Sequence, residues 1–279
     1  MHGELAERAL ATTGHVNGQV ELLAEGMSSS AWTGVVDGKR WVVRVPKMDG
    51  TRPTPRYDLE LRLLAELDRR GVPVMAGRLV VVDGVRCAVA EHCPHRGVRE
   101  WNEHFVADVA SAFTTLHSLD PLFAVEGDIV ARLHLARSWP FDGSELREHP
   151  VTRWGADLTR RIERRRDEIV WAAGQAVTVA HTDLHVDHLR QDEAGRLAAV
   201  LDFGDAFAGS AGWDFASMRY AFGPEVSGRV LSAYQGDERV GELADVLAIP
   251  WALYKLDKTP ERPIVQERVA TMLGIGDHN

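Results

Sequence analysis

Hydrophobic and polar residues alternate along the first third of the chain, and short turn sequences separate the alternating segments. The apolar runs are VELLAE (residues 20–25), AWTGVV (31–36) and RWVVRVP (40–46). The dipeptide Asp37-Gly38 stands between the second and third runs, and it suits the two-residue turn of a β-hairpin. The pattern therefore predicts three consecutive antiparallel strands.

A helical pattern then interrupts the strands. Four leucines recur at helical spacing between Tyr57 and Gly71, and the glycine marks the end of the predicted helix. Two more strands are predicted within RLVVVDGVRCAVAEHC (78–93), on either side of Asp83-Gly84. We expect the first third to form a small sheet with one inserted helix.

Beyond Pro94 the apolar spacing becomes mainly helical. Helices are predicted from about residue 103, from about 151 to 173 and from 213 to 273, the last stretch broken at Gly223-Pro224 and Pro260. One small hairpin interrupts them. Because strands and helices are segregated, the pattern predicts an α+β protein rather than a doubly wound sheet. The expected domains are residues 1–91 and 92–279.

Charge and composition exclude several classes of partner. The 279 residues carry a net charge of -9, so no broad basic field exists to bind a nucleic acid. No apolar run approaches the roughly 18 residues that span a bilayer, and the charged N-terminus is unlike a signal peptide. Two cysteines without a disulfide framework suit a reducing compartment. We expect a cytoplasmic protein without a nucleic-acid or membrane partner.

The segment HTDLHVDH (181–188) concentrates three histidines and two aspartates in eight positions. As a helix it would place His181, His185 and His188 on one face, as in a metal site. The strand-like VTVA before it and the turn after it oppose a helix, and the glutamate of a zinc-hydrolase helix is missing. A catalytic loop is therefore the favoured interpretation.

The kinase catalytic loop, H-x-D-L-x-x-x-N followed by a hairpin and a D-F-G aspartate, fits this context. His181, Asp183 and Leu184 match, and LDFG at 201–204 supplies Asp202. In phosphoryl transfer Asp183 would accept the proton of an acceptor hydroxyl, and Asp202 would bind the metal that bridges the phosphates.

His188 stands where the template has asparagine. Mg²⁺ prefers oxygen ligands, whereas an imidazole nitrogen suits Mn²⁺ and later metals better. We interpret His188 as a metal ligand or near-ligand, with a hydrogen bond to the loop as the alternative. The expected cofactor is Mg²⁺, with Mn²⁺ as the second choice.

These motifs resemble the aminoglycoside phosphotransferase superfamily, antibiotic kinases with a protein-kinase-like fold. The superfamily patterns H-G-D-L-H-P-x-N and I-D-W-x-x-A-x-x-G-D-P-x-x-D-L-A are similar to HTDLHVDH and to LDFGDAFAGSAGWDFA (201–216), and LHSLD (116–120) is close to the L-H-x-L stretch. The strand order also agrees, so the resemblance covers nearly the whole chain. It implies a small antiparallel-sheet N-lobe that binds nucleotide and a larger, mainly helical C-lobe for catalysis and acceptor binding.

The resemblance also implies nucleotide contacts. Arg44 stands at the position of the phosphate-binding cation, with Lys47 as the fallback, and Glu60 matches the glutamate that pairs with this cation. Asp214 matches the structural aspartate of the D-L-A motif. The other expected contacts come from a serine-containing turn, which replaces a glycine-rich loop, and from the interlobe linker: Ser28, Ser29, Ser30, Glu91 and Cys93.

Three departures from the superfamily motif give information about the class of acceptor. Thr182, Val186 and His188 replace glycine, proline and asparagine. The histidine and the W-V-x-R-x-P strand resemble macrolide phosphotransferases, which often use GTP. Residues 206–279 hold ten acidic and seven basic residues, too even a balance for a polycationic acceptor, and their aromatic residues suit an apolar one. We expect transfer from GTP or ATP to a hydroxyl of a macrolide or nucleoside antibiotic.

Two alternatives stay open at this point. The same fold could serve a housekeeping kinase of the choline, homoserine or methylthioribose type. The replacement of asparagine by His188 and of lysine by Arg44 also leaves open a non-catalytic nucleotide-binding protein.

Overall fold

The computed structural model describes residues 2–26, 28–47, 56–121, 146, 149–175 and 177–274. These described residues form two compact units: those within 1–98 and 187–204 form the first, and those within 99–186 and 205–274 form the second. The first contains most of the strands and the second most of the helices, which confirms the predicted α+β class.

The first unit is built on a five-stranded antiparallel sheet of order β1-β2-β3-β5-β4. Both Asp-Gly turns have positive φ at each residue, as a type I′ turn requires: Asp37 49° and Gly38 80°, Asp83 52° and Gly84 79°. The elements in chain order are α1 (His2–Ala11), β1 (Val16–Glu25), β2 (Ser29–Val36), β3 (Lys39–Pro46), α2 (Tyr57–Arg69), β4 (Gly77–Val82) and β5 (Val85–Glu91).

Helix α1 covers one face of this sheet. Its apolar stripe is buried against alternate residues of the strands, as an amphipathic helix on a half-buried sheet requires. The cluster consists of Leu5, Ala6, Ala9, Leu10, Val36, Val43, Val45, Val82, Cys87 and Val89. The sheet is thereby held on the side that the alternating pattern predicts to be buried.

The rest of the chain adds helices and short strands. In chain order they are β6 (Arg96–Gly97), α3 (Glu103–His117), α4 (Ala156–Arg164), α5 (Arg166–Ala173), β7 (Val177–Ala180), β8 (Leu189–Gln191), β9 (Leu197–Val200), β10 (Phe207–Ser210), α6 (Gly212–Phe222), α7 (Pro224–Ala233), α8 (Val240–Lys258) and α9 (Pro263–Met272). None of the helices among the described residues combines the length and the apolar character needed to cross a bilayer.

A hairpin of β8 and β9 belongs to the first unit. Leu189 pairs with Val200 in this hairpin, β8 pairs with β6, and Val200 forms a bridge to Val74. The sequence pattern groups this hairpin with residues 92–279, whereas residues 187–204 lie in the first compact unit. The position of the hairpin is decided by strand pairing between residues that are distant in sequence. Hydrophobic periodicity does not predict such pairing.

The second unit departs from the predicted helices at three places. The block expected at 151–173 is a 3₁₀ turn followed by α4 and α5, because Gly155 has a φ of 100° that interrupts a helix. Strand β10 pairs with β7 and was not predicted, since FAGS has no alternation. Residues 234–239 separate α7 from α8 without a proline.

Candidate functional site

Asp183 lies in the loop that follows β7 in the second unit. Residues 181–185 are not helical, so the alternative of a helical zinc site is wrong. The ring of His181 is buried, and its Nδ1 accepts the backbone N–H of Asp183 at 3.2 Å. Ser217 Oγ accepts the N–H of Leu184 at 2.9 Å. The backbone on both sides of Asp183 is therefore fixed by side chains of the same unit.

Asp214, at the start of α6, is the buried support of this loop. Its carboxylate accepts the backbone N–H of His181 at 2.9 Å and that of Thr182 at 2.6 Å. Burial alone would raise the pKa of Asp214, but the hydrogen bond and the charge of His117 hold it below its ordinary value. Asp214 is therefore ionised at neutral pH and positions the residues before Asp183.

A chain of polar contacts continues from Asp214 to His117 and from His117 to Tyr234. His117 Nε2 lies 3.0 Å from Asp214 Oδ2, and its Nδ1 lies 2.9 Å from the hydroxyl of Tyr234. His117 comes from α3, within the LHSLD stretch, and Tyr234 follows α7. The sequence offered only LHSLD as a signal, and the contribution of Tyr234 was not predicted.

Thr182 adopts a backbone conformation that favours glycine, with a φ of 67°. Its hydroxyl donates to the carbonyl oxygen of Asp205 at 2.9 Å. This bond offsets part of the roughly 1–2 kcal/mol that the left-handed region costs an L-residue. The departure from the glycine of the superfamily pattern thus has a local structural compensation.

We expect the substitution Thr182→Gly to leave the stability of the protein nearly unchanged and Thr182→Val to lower it. Glycine relieves the backbone strain while losing the hydroxyl bond, two effects of similar size. Valine keeps the strain and, like glycine, leaves the partly buried carbonyl of Asp205 without its donor. We expect Thr182→Val to be less stable than Thr182→Gly by about 1–2 kcal/mol, the backbone cost that glycine avoids, measured by urea denaturation. Equal stabilities of the two variants would contradict this account.

Lys255, in α8, contacts Asp183 directly. Its Nζ lies 3.3 Å from Asp183 Oδ1, and both side chains are partly buried. No sequence motif singles out this lysine, which lies 72 positions beyond Asp183. In the local sequence, the only indication of its role is that Trp251 and Tyr254 precede it by four positions and by one on the same helix.

In the first unit, Arg44 forms ion pairs with Glu60 and with Asp202. Arg44 lies on β3, between Ala31 of β2 and Ala88 of β5. Its Nη2 pairs with the buried carboxylate of Glu60 on α2, and its Nη1 lies 3.1 Å from Asp202 Oδ1. The structure thus brings together three residues that the sequence selected from three separate segments. The roles of Arg44 and Glu60 in nucleotide binding and of Asp202 in metal binding stay predictions.

The charge of Arg44 is secured by these neighbours. Burial on its own would lower the pKa of Arg44, but the negative charges of Glu60 and Asp202 raise it above its ordinary value. Its guanidinium also lies 5.1 Å from the ring centroid of Tyr57. Arg44 is therefore a permanent cation whose orientation is set by Glu60 and Asp202.

His188 and Asp202 flank the β8–β9 hairpin. His188 Nε2 lies 3.6 Å from Asp202 Oδ2, the carboxylate oxygen that does not face Arg44. Two ligands of one divalent ion, each bound at roughly 2 Å, are about 3–4 Å apart. Asp202 has a φ of 60°, which aspartate tolerates better than most residues. The pair fits a metal site with one oxygen and one nitrogen ligand.

The three serines lie at the β1–β2 turn, but they do not form one loop. Ser29 and Ser30 already belong to β2, and Met27 lies outside the described residues. The hydroxyl of Ser30 is buried and accepts the indole N–H of Trp32 at 2.9 Å. The backbone carbonyl of Ser28 accepts the N–H of Lys47 at 2.9 Å. Ser28 and Ser29 are the members of this set that keep partial exposure.

Glu91 and Cys93 lie at and beyond the end of β5. Glu91 is exposed and pairs with Lys39 at 3.4 Å. Burial raises the pKa of the Cys93 thiol, so this thiol is protonated at neutral pH. A cavity of about 400 Å³ borders this segment and is lined by Lys39, Arg40, Glu91, His92 and Pro94.

Comparison with a protein-family model places these features in a known context. The model of the Phosphotransferase enzyme family, APH, matches residues 19–246. This range contains every predicted site residue. A search of curated protein sequences gives no match.

Solved structures share the fold at low sequence identity. A macrolide 2′-phosphotransferase from Brachybacterium faecium is 16% identical, with a TM-score of 0.67 over 99% of each chain. An aminoglycoside phosphotransferase in ternary complex with ADP and hygromycin B is 13% identical, with a TM-score of 0.67 over 99% of this chain and 100% of that one. A choline kinase from Streptococcus pneumoniae is 16% identical, with a TM-score of 0.61 over 96% and 97%. The kinase-like fold implied by the resemblance is confirmed.

Proposed function

Because the chain belongs to the APH phosphotransferase family, we propose that it transfers the γ-phosphate of GTP or ATP to a hydroxyl of a bulky natural product, as in antibiotic resistance. The observation that carries this proposal is the placement of Asp183. It is a partly exposed carboxylate on a loop whose backbone is held by buried Asp214. A base that is fixed in this way can meet an acceptor hydroxyl in a defined geometry.

Asp183 accepts the proton as the hydroxyl oxygen of the acceptor attacks the γ-phosphorus. The new O–P bond forms as the bond from the γ-phosphorus to the bridging oxygen breaks, and the nucleoside diphosphate leaves. In such reactions, most of the rate enhancement comes from positioning the reacting groups and from neutralising the charge of the phosphates. Arg44 provides a fixed positive charge for the phosphates, and Glu60 orients it.

Asp202 and His188 would hold the divalent ion. When bound, Mg²⁺ or Mn²⁺ would neutralise negative charge on the phosphates. The mixed donor set of one carboxylate and one imidazole suits Mn²⁺ better than an all-oxygen site does.

The acceptor is expected to be a macrolide or a nucleoside antibiotic rather than an aminoglycoside. Aromatic residues Tyr220, Trp251 and Tyr254 lie around Lys255, which contacts Asp183. Such rings favour contact with an apolar or planar ligand. The nucleotide donors are metabolites of the cytoplasm, which supports the cytoplasmic location expected from the sequence.

An acceptor panel tests this function. The purified protein is incubated with labelled ATP or GTP, with Mg²⁺ or Mn²⁺, and with a macrolide, a nucleoside, an aminoglycoside or choline. We expect label to pass to the macrolide or the nucleoside. Transfer to choline alone would favour the housekeeping alternative. This alternative is motivated by the structural similarity to a choline kinase. Nucleotide binding without transfer to any acceptor would favour a non-catalytic protein.

A further inference from the structure

The ammonium group of Lys255 is enclosed by one carboxylate and three aromatic rings of the second unit. Its Nζ lies 3.3 Å from Asp183 Oδ1. The same Nζ lies 4.7 Å from the ring centroid of Trp251, 5.8 Å from that of Tyr220 and 5.9 Å from that of Tyr254. A cation within about 6 Å of an aromatic ring is attracted by the electrons of the ring face. These four partners define a cation-binding enclosure.

The spacing of residues in α8 explains the enclosure. Trp251 lies four positions before Lys255, so both side chains occupy neighbouring places on the helix surface. Tyr220 is contributed by α6, which packs closely on α8. The side chain of Lys255 is 26% exposed, so the ammonium group is partly removed from water and its attraction to the rings is less screened.

Aromatic enclosures of this kind usually recognise a ligand with a quaternary or methylated ammonium group. Here the protein's own lysine supplies the cation. We propose that Lys255 is a specificity-determining residue that fills this enclosure and thereby excludes acceptors with an ammonium group beside the reacting hydroxyl. The proposal rests on the proposed role of Asp183 as the base.

Repulsion between like charges is the physical basis of the exclusion. An acceptor hydroxyl must come within hydrogen-bond distance of Asp183, which places any neighbouring ammonium a few ångströms from Lys255. Arg268 places a second positive charge beside Tyr220, since its guanidinium lies 5.5 Å from the centroid of that ring. These surroundings favour an acceptor that is neutral near the reacting hydroxyl.

The charge of Lys255 narrows the class of acceptor that the site admits. A nucleoside presents ribose hydroxyls without a neighbouring ammonium group and satisfies the condition. Choline, aminoglycosides and macrolides with a basic amino sugar do not. Of the acceptors considered above, the nucleoside class is therefore the one that the enclosure admits.

Binding of small ammonium ions tests the proposal without any phosphate transfer. Choline and tetramethylammonium are titrated by calorimetry into the wild-type chain, Lys255→Met and Lys255→Arg. Methionine removes the charge and keeps the length of the side chain, whereas arginine retains the charge. We expect Lys255→Met to bind both ions about tenfold more tightly than the wild type, and Lys255→Arg to bind them as weakly as the wild type.

Two results would overturn the proposal. In the first, Lys255→Met binds these ions no more tightly than the wild type, and in the second, Lys255→Arg gains as much affinity as Lys255→Met although it keeps the charge. Thermal denaturation establishes that each variant is folded, and Lys255→Gln replaces Lys255→Met if the latter unfolds. The titration needs neither nucleotide nor turnover. Its result can therefore be interpreted even if no acceptor in the panel is phosphorylated.

Discussion

Replacing Asp183 with asparagine is expected to lower kcat for phosphate transfer by about 10²- to 10⁴-fold, the usual contribution of a general base. The amide has nearly the shape of the carboxylate but cannot accept the proton of the acceptor hydroxyl. Nucleotide affinity should stay largely unchanged, since the residues proposed to bind nucleotide lie in the other unit. Single-turnover assays with labelled nucleotide measure the transfer step, and calorimetry measures the affinity.

The matched control is Asp167→Asn, which removes an exposed carboxylate on α5. It makes the same chemical change at a position without a proposed role, and we expect activity close to the wild type. Turnover retained by Asp183→Asn would exclude Asp183 as the base. Loss of nucleotide binding by this variant would point to a structural defect instead.

Replacing Asp214 with alanine is expected to destabilise the protein by about 3–5 kcal/mol, as for the loss of one partner from a buried charged pair. The substitution leaves His117 and the N–H groups of His181 and Thr182 without their acceptor in a buried place. The free energy of unfolding, measured by urea denaturation at pH 7, should show the loss. Asp157→Asn, at an exposed position on α4, is the control and should match the wild type.

The effect of Asp214 should also depend on pH in a defined direction. Its pKa is lowered in the folded state, so the unfolded chain binds the proton more readily. The stabilisation is fully present above the unfolded pKa of about 4, and it is lost as the pH falls through the lower folded value. The difference between wild type and Asp214→Ala should therefore narrow below about pH 4. A constant difference at all pH values would contradict the assigned ionisation.

Local patterns in the sequence predict the elements of the first unit well. Strand alternation and the Asp-Gly turns depend on neighbouring residues, and both turns have the backbone angles that these dipeptides allow. The short strands β6 and β10 were not predicted, because they are defined by pairing with distant segments. The separation of α7 from α8 was missed as well, since residues 234–239 contain no proline and their one glycine lies among polar residues.

The same distinction applies to the site. Asp183, Asp202, Arg44 and Glu60 stand in motifs with recognisable spacing, and the sequence selected all four. Lys255 and Tyr234 have no motif, because their importance comes from tertiary contacts with Asp183 and His117. Ser30 shows the converse, since a hydroxyl expected over phosphates from its sequence position is buried and accepts the indole N–H of Trp32. Sequence spacing identifies residue types, whereas the fold decides which side chains meet.

The β8–β9 hairpin has a consequence for how this chain can vary. His188 and Asp202 lie just outside the paired residues Leu189 and Val200, so their separation is set by the ladder at the open end of the hairpin. The turn at residues 192–196 lies at the opposite end. Insertions or deletions in that turn can therefore accumulate without moving the two proposed metal ligands apart, whereas a shift of one residue in strand register would separate them.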